Sequence, residues 1–482
     1  MTPEEALLAL RAVATLRAAL FALALYAFAR LTVYVWRPLW DRVFVSTSVV
    51  RFVPYDASAM GSATVCVDCT HRNLPTLTHH KDGSTPVHLR GDTSTDTVFN
   101  ALRAGWRPLK IANAVTCNHF DIDGLVSAWA LIEPLKALEH EDVLRETARI
   151  GDFRELRVTR GRGDGGAEGA EGAEGADSGD AFGMWSETTA ALRLCAWINS
   201  VERTLFTRPF EGNEHRESAR KYAHFLPLVA DALNAVEPRA GSTADADDAA
   251  AERSGLRTGD AEVARVLDGV TRLYGTGSVE GNRDWETRET WDDLGVCVVR
   301  CESPVHYYAL FSLATDADVV VSIYSGGRYE VECKYTGFVD YRSRATWPRV
   351  NLRALANRLN ASDAAVTRRG SRLRWDVAGY TDPGPVLRLD DVRPGEKLTR
   401  AERYGSPDER RIHVSALAPE AFLGTVRAFF EHAAREARAH LGVTDNARIA
   451  RRGWSWRETH ELNAKIDWAG FRADDDGTGT TR

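Results

Sequence analysis

The chain has 482 residues, 44% of them hydrophobic and 27% charged, and its formal net charge is −7 at pH 7. A chain of this length supports two or three domains with sizeable cores. The negative charge argues against a protein that coats long nucleic acids, so we do not expect long nucleic acid as a partner. Seven irregularly spaced cysteines do not form the disulfide framework of a secreted protein, and we therefore predict an intracellular location.

Residues 1–45 form an N-terminal hydrophobic segment. Residues 18–36 are almost wholly apolar, with Arg30 as an interruption and further arginines on both sides. This length is about that of a bilayer span. Three interpretations are open: a single-span membrane anchor, a cleaved organelle-targeting peptide, and a buried or amphipathic helix.

Three polar segments divide the rest of the chain. A Gly-Ala-Glu repeat predicts a disordered linker at 156–184, and a run rich in Ala, Asp, Ser and Thr predicts another at 237–260. Residues 473–482 form a polar, disordered tail. The parts that remain for ordered structure are 49–155, 185–236 and 261–472.

Strand-like and helix-like segments alternate in residues 49–155. We predict strands at 64–67 and 109–115 and helices at 95–104 and 125–140. Such alternation is typical of an α/β fold, in which helices flank a parallel sheet. Ligand sites in these sheets lie beyond the carboxyl ends of the strands.

The two later parts have different patterns. Residues 185–236 lack strand signals and predict helices only. Residues 261–472 predict a C-terminal α+β domain that opens with a helix. Its further expected strands and helices are 295–300, 318–324, 329–339, 350–359 and 419–440.

His119, Asp121 and Asp123 stand at alternate positions just after the predicted strand 109–115. In an extended segment these three side chains point to one side. Crowded carboxylates repel one another unless a cation neutralises them, so this triplet predicts a divalent metal site. A simple Asx turn and helix cap is the alternative, although a cap needs only one such residue.

Other polar residues lie at similar places. Asp68 ends the first predicted strand, and Asp152 follows a helical run and is either a further carboxylate of the site or part of a surface turn. Thr93, Ser94 and Thr95 precede an apolar-periodic run and predict a helix start. Such a start can also hold a substrate phosphate through its free N–H groups and hydroxyls.

Two histidine-containing segments have competing interpretations. Cys66, Cys69 and His71 resemble part of a zinc site, but no second cysteine pair follows at the spacing of a zinc finger. A buried cysteine is the alternative for Cys66. His79 and His80 stand next to Lys-Asp-Gly, which predicts an exposed loop without metal ligands.

The run HFDIDGLVSA that begins at His119 resembles the first signature of the DHH phosphoesterases, the superfamily of RecJ-type exonucleases, oligoribonucleases and manganese pyrophosphatases. The family's naming signature, a strand followed by Asp-His-His, does not occur downstream of this run. A partial version lies upstream, where Asp68 ends a strand and Cys69 and Thr70 replace the histidines. The Ser/Thr-rich helix start at 92–98 is also similar to the family. This order indicates a rearranged, circularly permuted relative.

The resemblance implies a DHH-like fold in which Asp68 meets the triplet in space around Mn²⁺ or Mg²⁺. The candidate metal ligands are Asp68, Asp121, Asp123 and Asp152. The candidate catalytic histidines are His119 and His71. The function that follows is a metal-dependent phosphoesterase that hydrolyses a phosphate ester of a small molecule or a short nucleotide. The alternative is a non-catalytic relative, with or without a membrane tether, that binds a nucleotide or a protein partner.

Overall fold

In the computed structural model of the protein, the described residues are 21, 23, 26, 50–56, 58, 60–160, 182–206, 214–238, 242–274, 288–382, 384–392, 402 and 405–471. The hydrophobic segment 18–36, apart from three of its residues, lies outside them, as do the Gly-Ala-Glu repeat and the tail 473–482. Among the described residues, no helix has the length and apolar character that crossing a bilayer requires. The three interpretations of the N-terminal segment stay predictions.

The first part of the described chain forms a parallel sheet with helices against it, as predicted. Its elements are β1 (Arg51–Phe52), β2 (Thr64–Val67), β3 (Thr76–Leu77), α1 (Ser94–Arg103), β4 (Ala114–Thr116), α2 (Ile122–Ile132), α3 (Pro134–Glu139) and α4 (Glu141–Phe153). The strand order is β1-β4-β2-β3, and the three pairings are parallel. The carboxyl ends of these strands therefore lie at one edge of the sheet.

Two elements of this part differ from their predictions, and a proline explains each difference. The strand predicted at 109–115 begins only at Ala114, because a 3-10 turn around Pro108 occupies the start of the segment. The helix predicted at 125–140 is interrupted before Pro134, whose ring and missing N–H prevent its continuation. Both differences leave the polar triplet at the carboxyl end of β4.

The middle of the chain is helical, as predicted for residues 185–236. Its elements are an antiparallel ribbon of β5 (Val158–Arg160) and β6 (Phe182–Met184), then α5 (Ser186–Leu205), α6 (Glu214–Phe225), α7 (Val229–Val236), α8 (Ala244–Ser254) and α9 (Asp260–Tyr274). The paired strands lie within the predicted linker 156–184, so the disorder predicted for its two ends is wrong. The disordered linker predicted at 237–260 is wrong, because α8 forms there, capped by the Thr243 side chain and by Gly255 in the left-handed conformation.

The last part contains a six-stranded sheet and helices, in agreement with the predicted α+β character. Its elements are β7 (Arg288–Trp291), β8 (Val296–Cys301), α10 (Tyr307–Ser312), β9 (Val319–Tyr324), β10 (Arg328–Cys333), α11 (Arg353–Ser362), α12 (Ala364–Thr367), β11 (Leu373–Asp376), β12 (Val386–Asp391), α13 (Pro419–Leu441) and α14 (Trp456–Lys465). The strand order is β11-β12-β10-β9-β8-β7, in which β8 and β9 are parallel and the other pairings are antiparallel.

The side chains of β8 and β9 alternate between two hydrophobic cores. Val299 and Val320 belong to the core that contains the parallel sheet, whereas Val298 and Val321 belong to the core of α11 and α13. Helix α9, predicted to open the C-terminal domain, contributes Val270 to the first core. Strands β8 and β9 are therefore buried on both faces of the six-stranded sheet and lie between the two cores.

Candidate metal centre

Acidic and imidazole side chains from four chain segments meet at the carboxyl edge of the parallel sheet. We call the following set the metal centre, because its members include groups that could hold a metal ion: Asp68 after β2, His79 and His80 after β3, His119, Asp121 and Asp123 after β4, and Asp152 in the last turn of α4. Three overlapping groups have ligand atoms that all lie within 4.8 Å of one another: Asp68, Cys117 and His119; Asp68, His79 and His80; and His79, Asp123 and Asp152. The predicted meeting of Asp68 with the triplet is confirmed.

Asp68 is the central side chain of this set. It is 2% exposed, and its backbone φ of 50° is in the left-handed region, which costs about 1–3 kcal/mol for a residue other than glycine. Its Oδ1 lies 3.5 Å from His79 Nε2 and accepts a hydrogen bond from Ser94 Oγ at 2.7 Å. Its Oδ2 lies 3.2 Å from His119 Nε2. The two oxygens of one carboxylate thus face two different histidines.

The side of the centre that contains His119 and Asp121 is open to solvent. Their side chains are 34% and 41% exposed, and His119 Nε2 lies 2.9 Å from Asp121 Oδ2. The other oxygen of Asp121 accepts the Gly124 N–H at 2.8 Å and caps helix α2. Asp121 is therefore both a helix cap and a member of the centre.

The side that contains Asp123 and Asp152 is buried. Asp123 is 0% exposed, and its two carboxylate oxygens accept the backbone N–H groups of Ser94 at 2.7 Å and Thr95 at 2.8 Å. Asp152 Oδ2 lies 3.6 Å from His79 Nε2. Because the partners of Asp123 are backbone groups at the start of α1, this carboxylate is held at a fixed position.

Contacts around the His79 ring direct one of its nitrogens at the carboxylates. His79 Nδ1 lies 2.8 Å from the backbone carbonyl of Asp92, so Nδ1 carries the proton and donates to that oxygen. Nε2 faces the carboxylates of Asp68 and Asp152 and is the nitrogen available to a metal ion. A hydrogen bond from the other ring nitrogen to a backbone carbonyl is typical of metal-ligating histidines.

The adjacent His80 is also buried, and its Nδ1 has no hydrogen-bond partner among the described residues. Burial first, and then the neighbouring His79 and His119, lower the pKa of His80 well below its usual value. The exposed loop predicted for His79 and His80 is wrong. The sequence Pro75-Thr-Leu-Thr before them contains the short strand β3, which places both rings inside the molecule.

Burial disfavours the charged forms of three carboxylates in this centre. Burial raises the pKa of Asp68 and of Asp152 well above the usual value, and the charges of the other carboxylates add to this effect. Burial likewise raises the pKa of Asp123. Burial opposes ionisation of Asp121 as well, but His119 and the Gly124 N–H lower its pKa. A bound cation would relieve this repulsion, and the donor set therefore fits a metal ion.

The substrate-phosphate site predicted at Thr93, Ser94 and Thr95 is wrong. The segment is the expected helix start, with Thr93 Oγ1 accepting the Asp96 N–H as the N-cap. However, the N–H groups that lack a partner within the helix donate to the Asp123 carboxylate, so they are not available to a phosphate. A buried carboxylate of the protein occupies the place expected for the ligand.

His71 and the first two cysteines lie outside the centre. His71 Nδ1 accepts the backbone N–H groups of Asn73 and Leu74, which explains this side chain as part of a turn and not as a catalytic group. Cys66 and Cys69 are buried and free. Among the described residues, no group able to hold a metal contains these three residues, so the predicted zinc site is not formed.

The C-terminal part of the chain closes one side of the centre. The ring of Tyr335 lies 6.3 Å from that of His79 and 6.1 Å from that of His80, measured between centroids. The Asp340 N–H donates to the His79 carbonyl at 2.7 Å, and the Ser343 N–H donates to the Asp92 carboxylate at 2.9 Å. Nothing in the sequence pattern links these segments, because the contacts join residues more than 250 positions apart.

The comparison with protein families gives a match over most of the chain. The family model DUF6687, described as a family of unknown function, matches residues 48–441. This range includes every residue of the metal centre. No curated protein and no solved structure matches the chain. The chain therefore belongs to the DUF6687 family, a family of unknown function.

Proposed function

We propose that the protein is a metal-dependent phosphoesterase that hydrolyses a phosphate ester of a small molecule or a short nucleotide. The observation that carries this proposal is the position of Asp68, whose Oδ1 faces His79 and whose Oδ2 faces His119. A carboxylate with its two oxygens turned to separate groups is suited to bridge two cations. Paired cations about 3.5–4 Å apart are typical of enzymes that hydrolyse phosphate esters.

The distances on the buried side support a shared ion. His79 Nε2 lies 3.5 Å from Asp68 Oδ1 and 3.6 Å from Asp152 Oδ2, which is longer than a good hydrogen bond. With metal–ligand bonds of roughly 2.1 Å, neighbouring ligand atoms are separated by about 3.0–3.5 Å. Carboxylate and imidazole ligands together suit Mn²⁺, and the carboxylates alone suit Mg²⁺.

The open side supports access for a substrate. His119 and Asp121 are the partly exposed members of the centre, so an ester would approach it past these two side chains. When bound, the two cations would neutralise phosphate charge and activate a water for attack on phosphorus. His119 lies where it can exchange a proton with solvent, and the neutral His80 offers an imidazole inside the site.

The resemblance to DHH phosphoesterases is consistent with this site and is part of the proposal. The histidine pair that does not follow Asp68 in the sequence is supplied one strand later, by Thr78-His79-His80 after β3. The strands with these ligands precede the strand with the triplet along the chain, which is the permuted order that we predict. Threonine stands where the family signature has aspartate.

The test is hydrolysis of p-nitrophenyl phosphate and bis(p-nitrophenyl) phosphate with Mn²⁺ and Mg²⁺. Asp68→Asn should lower kcat/KM by about a thousandfold or more, since losing a bridging ligand forfeits several kcal/mol of transition-state stabilisation. Asp248→Asn, an exposed change on α8, is the matched control. Metal analysis should find two ions per wild-type chain. Equal turnover by Asp68→Asn and wild type would overturn the proposal.

The same assay separates the proposal from its non-catalytic alternative. A binding protein would show thermal stabilisation by a nucleotide or another phosphate ester, because ligands stabilise the state that they bind. It would release no p-nitrophenol with either metal. That combination of results would favour the alternative.

A further inference from the structure

The side chain of Tyr222, on helix α6, reaches the metal centre from the helical part of the chain. It is 0% exposed. Its ring stacks on Phe52 with centroids 4.2 Å apart and lies edge-on to Phe120 at 5.2 Å. Because aromatic rings hold it on two sides, the hydroxyl has a fixed position.

The Tyr222 hydroxyl has no hydrogen-bond partner among the described residues. A buried tyrosine hydroxyl normally finds a partner, and leaving it without one is unfavourable. The usual pKa of a tyrosine is about 10, so the hydroxyl keeps its proton at neutral pH and is a hydrogen-bond donor.

Gly124 shows where this hydroxyl lies. A Cβ atom added to Gly124 would be 2.6 Å from Tyr222 Oη, 3.1 Å from Asp121 Oδ1 and 3.3 Å from Asp68 Oδ2. The hydroxyl thus shares one small region with carboxylate oxygens of the two ligands that face His119. A side chain at position 124 would collide with the Tyr222 hydroxyl, which explains glycine at this position.

The centre otherwise offers few donors to an anion. Its carboxylates only accept hydrogen bonds when ionised, and the N–H groups of Ser94 and Thr95 are bonded to Asp123. Phosphate oxygens also only accept hydrogen bonds when ionised. A fixed hydroxyl with an unused proton therefore complements a phosphate oxygen.

We propose that the Tyr222 hydroxyl donates a hydrogen bond to an oxygen of the phosphate group that the metal centre binds. This inference rests on the proposed function, because it takes that centre as the phosphate site. It gives the helical part of the chain a direct role in ligand recognition. The site for phosphate is then assembled from the parallel sheet, which supplies the ligands, and from α6, which supplies the donor.

The test is a calorimetric titration, in which inorganic phosphate is added to the full-length, Mn²⁺-loaded protein and its binding affinity is measured. Tyr222→Phe keeps the ring and removes only the hydroxyl. A hydrogen bond to a charged group predicts that phosphate binds the variant about 10- to 100-fold more weakly. The affinity for Mn²⁺ alone and the melting temperature should match those of the wild type. Tyr324→Phe is the control, since Tyr324 is another buried tyrosine whose hydroxyl lacks a partner among the described residues.

Two results would overturn the inference. Phosphate affinity equal to that of the wild type would show that the hydroxyl does not touch the anion. Parallel losses of Mn²⁺ affinity and thermal stability would show a structural role. If the wild type hydrolyses no ester but binds phosphate through Tyr222, the proposed function fails and this inference stands. If it hydrolyses esters and Tyr222→Phe binds phosphate normally, only this inference fails.

Discussion

The side chains on the buried and open sides of the metal centre are held by different means. On the buried side, backbone N–H groups fix Asp123 and a backbone carbonyl fixes His79. On the open side, His119 and Asp121 are partly exposed and contact each other through their side chains. Backbone contacts set a position before any ligand arrives, whereas a pair of exposed side chains can adjust. We therefore expect the buried side to govern metal binding and stability, and the open side to govern turnover.

The largest difference between the two sides should follow removal of one carboxylate from each. With saturating Mn²⁺, Asp123→Ala should lower the free energy of unfolding by about 2–5 kcal/mol, because it leaves the N–H groups of Ser94 and Thr95 buried without acceptors. Asp121→Ala removes a helix cap and should cost about 1 kcal/mol. Urea denaturation measures both. Equal losses would contradict the distinction between the sides.

The next effect concerns the stabilisation that metal binding provides. Mn²⁺ at one hundred times its Kd should raise the free energy of unfolding of the wild type by about 2.7 kcal/mol. His79→Gln should lose most of this gain, because Nε2 of His79 faces two carboxylates of the centre. His119→Gln should retain more of it. Thermal denaturation at a series of Mn²⁺ concentrations compares the stabilisation that the two variants retain. A larger loss in His119→Gln than in His79→Gln would contradict metal binding mainly on the buried side.

A smaller effect concerns the pH dependence of the metal-free protein. Burial raises the pKa of Asp68 and Asp152, so the folded state keeps protons that the unfolded chain releases near pH 4. These protonated carboxyls therefore stabilise the folded state below about pH 4, and this stabilisation is lost as the pH rises toward their pKa in the folded state. The loss is about 1.4 kcal/mol for each unit by which the pKa in the folded state exceeds that in the unfolded state. Urea midpoints between pH 4 and 7 in chelator should fall, and Mn²⁺ should cancel the fall. A rise with pH in chelator would refute this account.

The smallest effect concerns a side chain that supports Asp68. Ser94→Ala removes the 2.7 Å hydrogen bond from Ser94 Oγ to Asp68 Oδ1 and should cost about 1 kcal/mol of stability. Activity should fall by roughly fivefold, as that energy implies. Ser254→Ala is the control, because its buried hydroxyl donates to the Ala250 carbonyl within α8, away from the centre, and should leave activity unchanged. Equal losses in the two variants would show that the contact to Asp68 has no special importance.

The carboxylates of the centre can be predicted from the sequence because each stands at the end of a recognisable element. Asp68 and the triplet follow apolar strands, and parallel strands bring their carboxyl ends to one edge. His79 and His80 escape such a prediction because β3 has only two residues and shows no alternation of apolar and polar side chains. The pair of adjacent histidines is the available signal.

Long-range partners and local caps explain the other differences between the sequence predictions and the structure. The start of α1 resembles a phosphate site by every local rule, but Asp123, nearly 30 residues later, uses its N–H groups. His71 is predicted to be catalytic, but its ring nitrogen accepts hydrogen bonds from backbone N–H groups of the turn that follows it. The polar composition of α8 predicts a linker, yet Thr243 and Gly255 are local capping signals for a helix. In that segment capping outweighs composition.

The burial of β8 and β9 on both faces has a consequence for how the protein denatures. Neighbouring residues of β8 and β9 belong to different cores, so neither core survives if these strands separate. The described chain should therefore lose its structure in one cooperative transition, without an intermediate in which one half persists. A fragment cut between β7 and β8 would expose a complete strand edge on each piece and should aggregate.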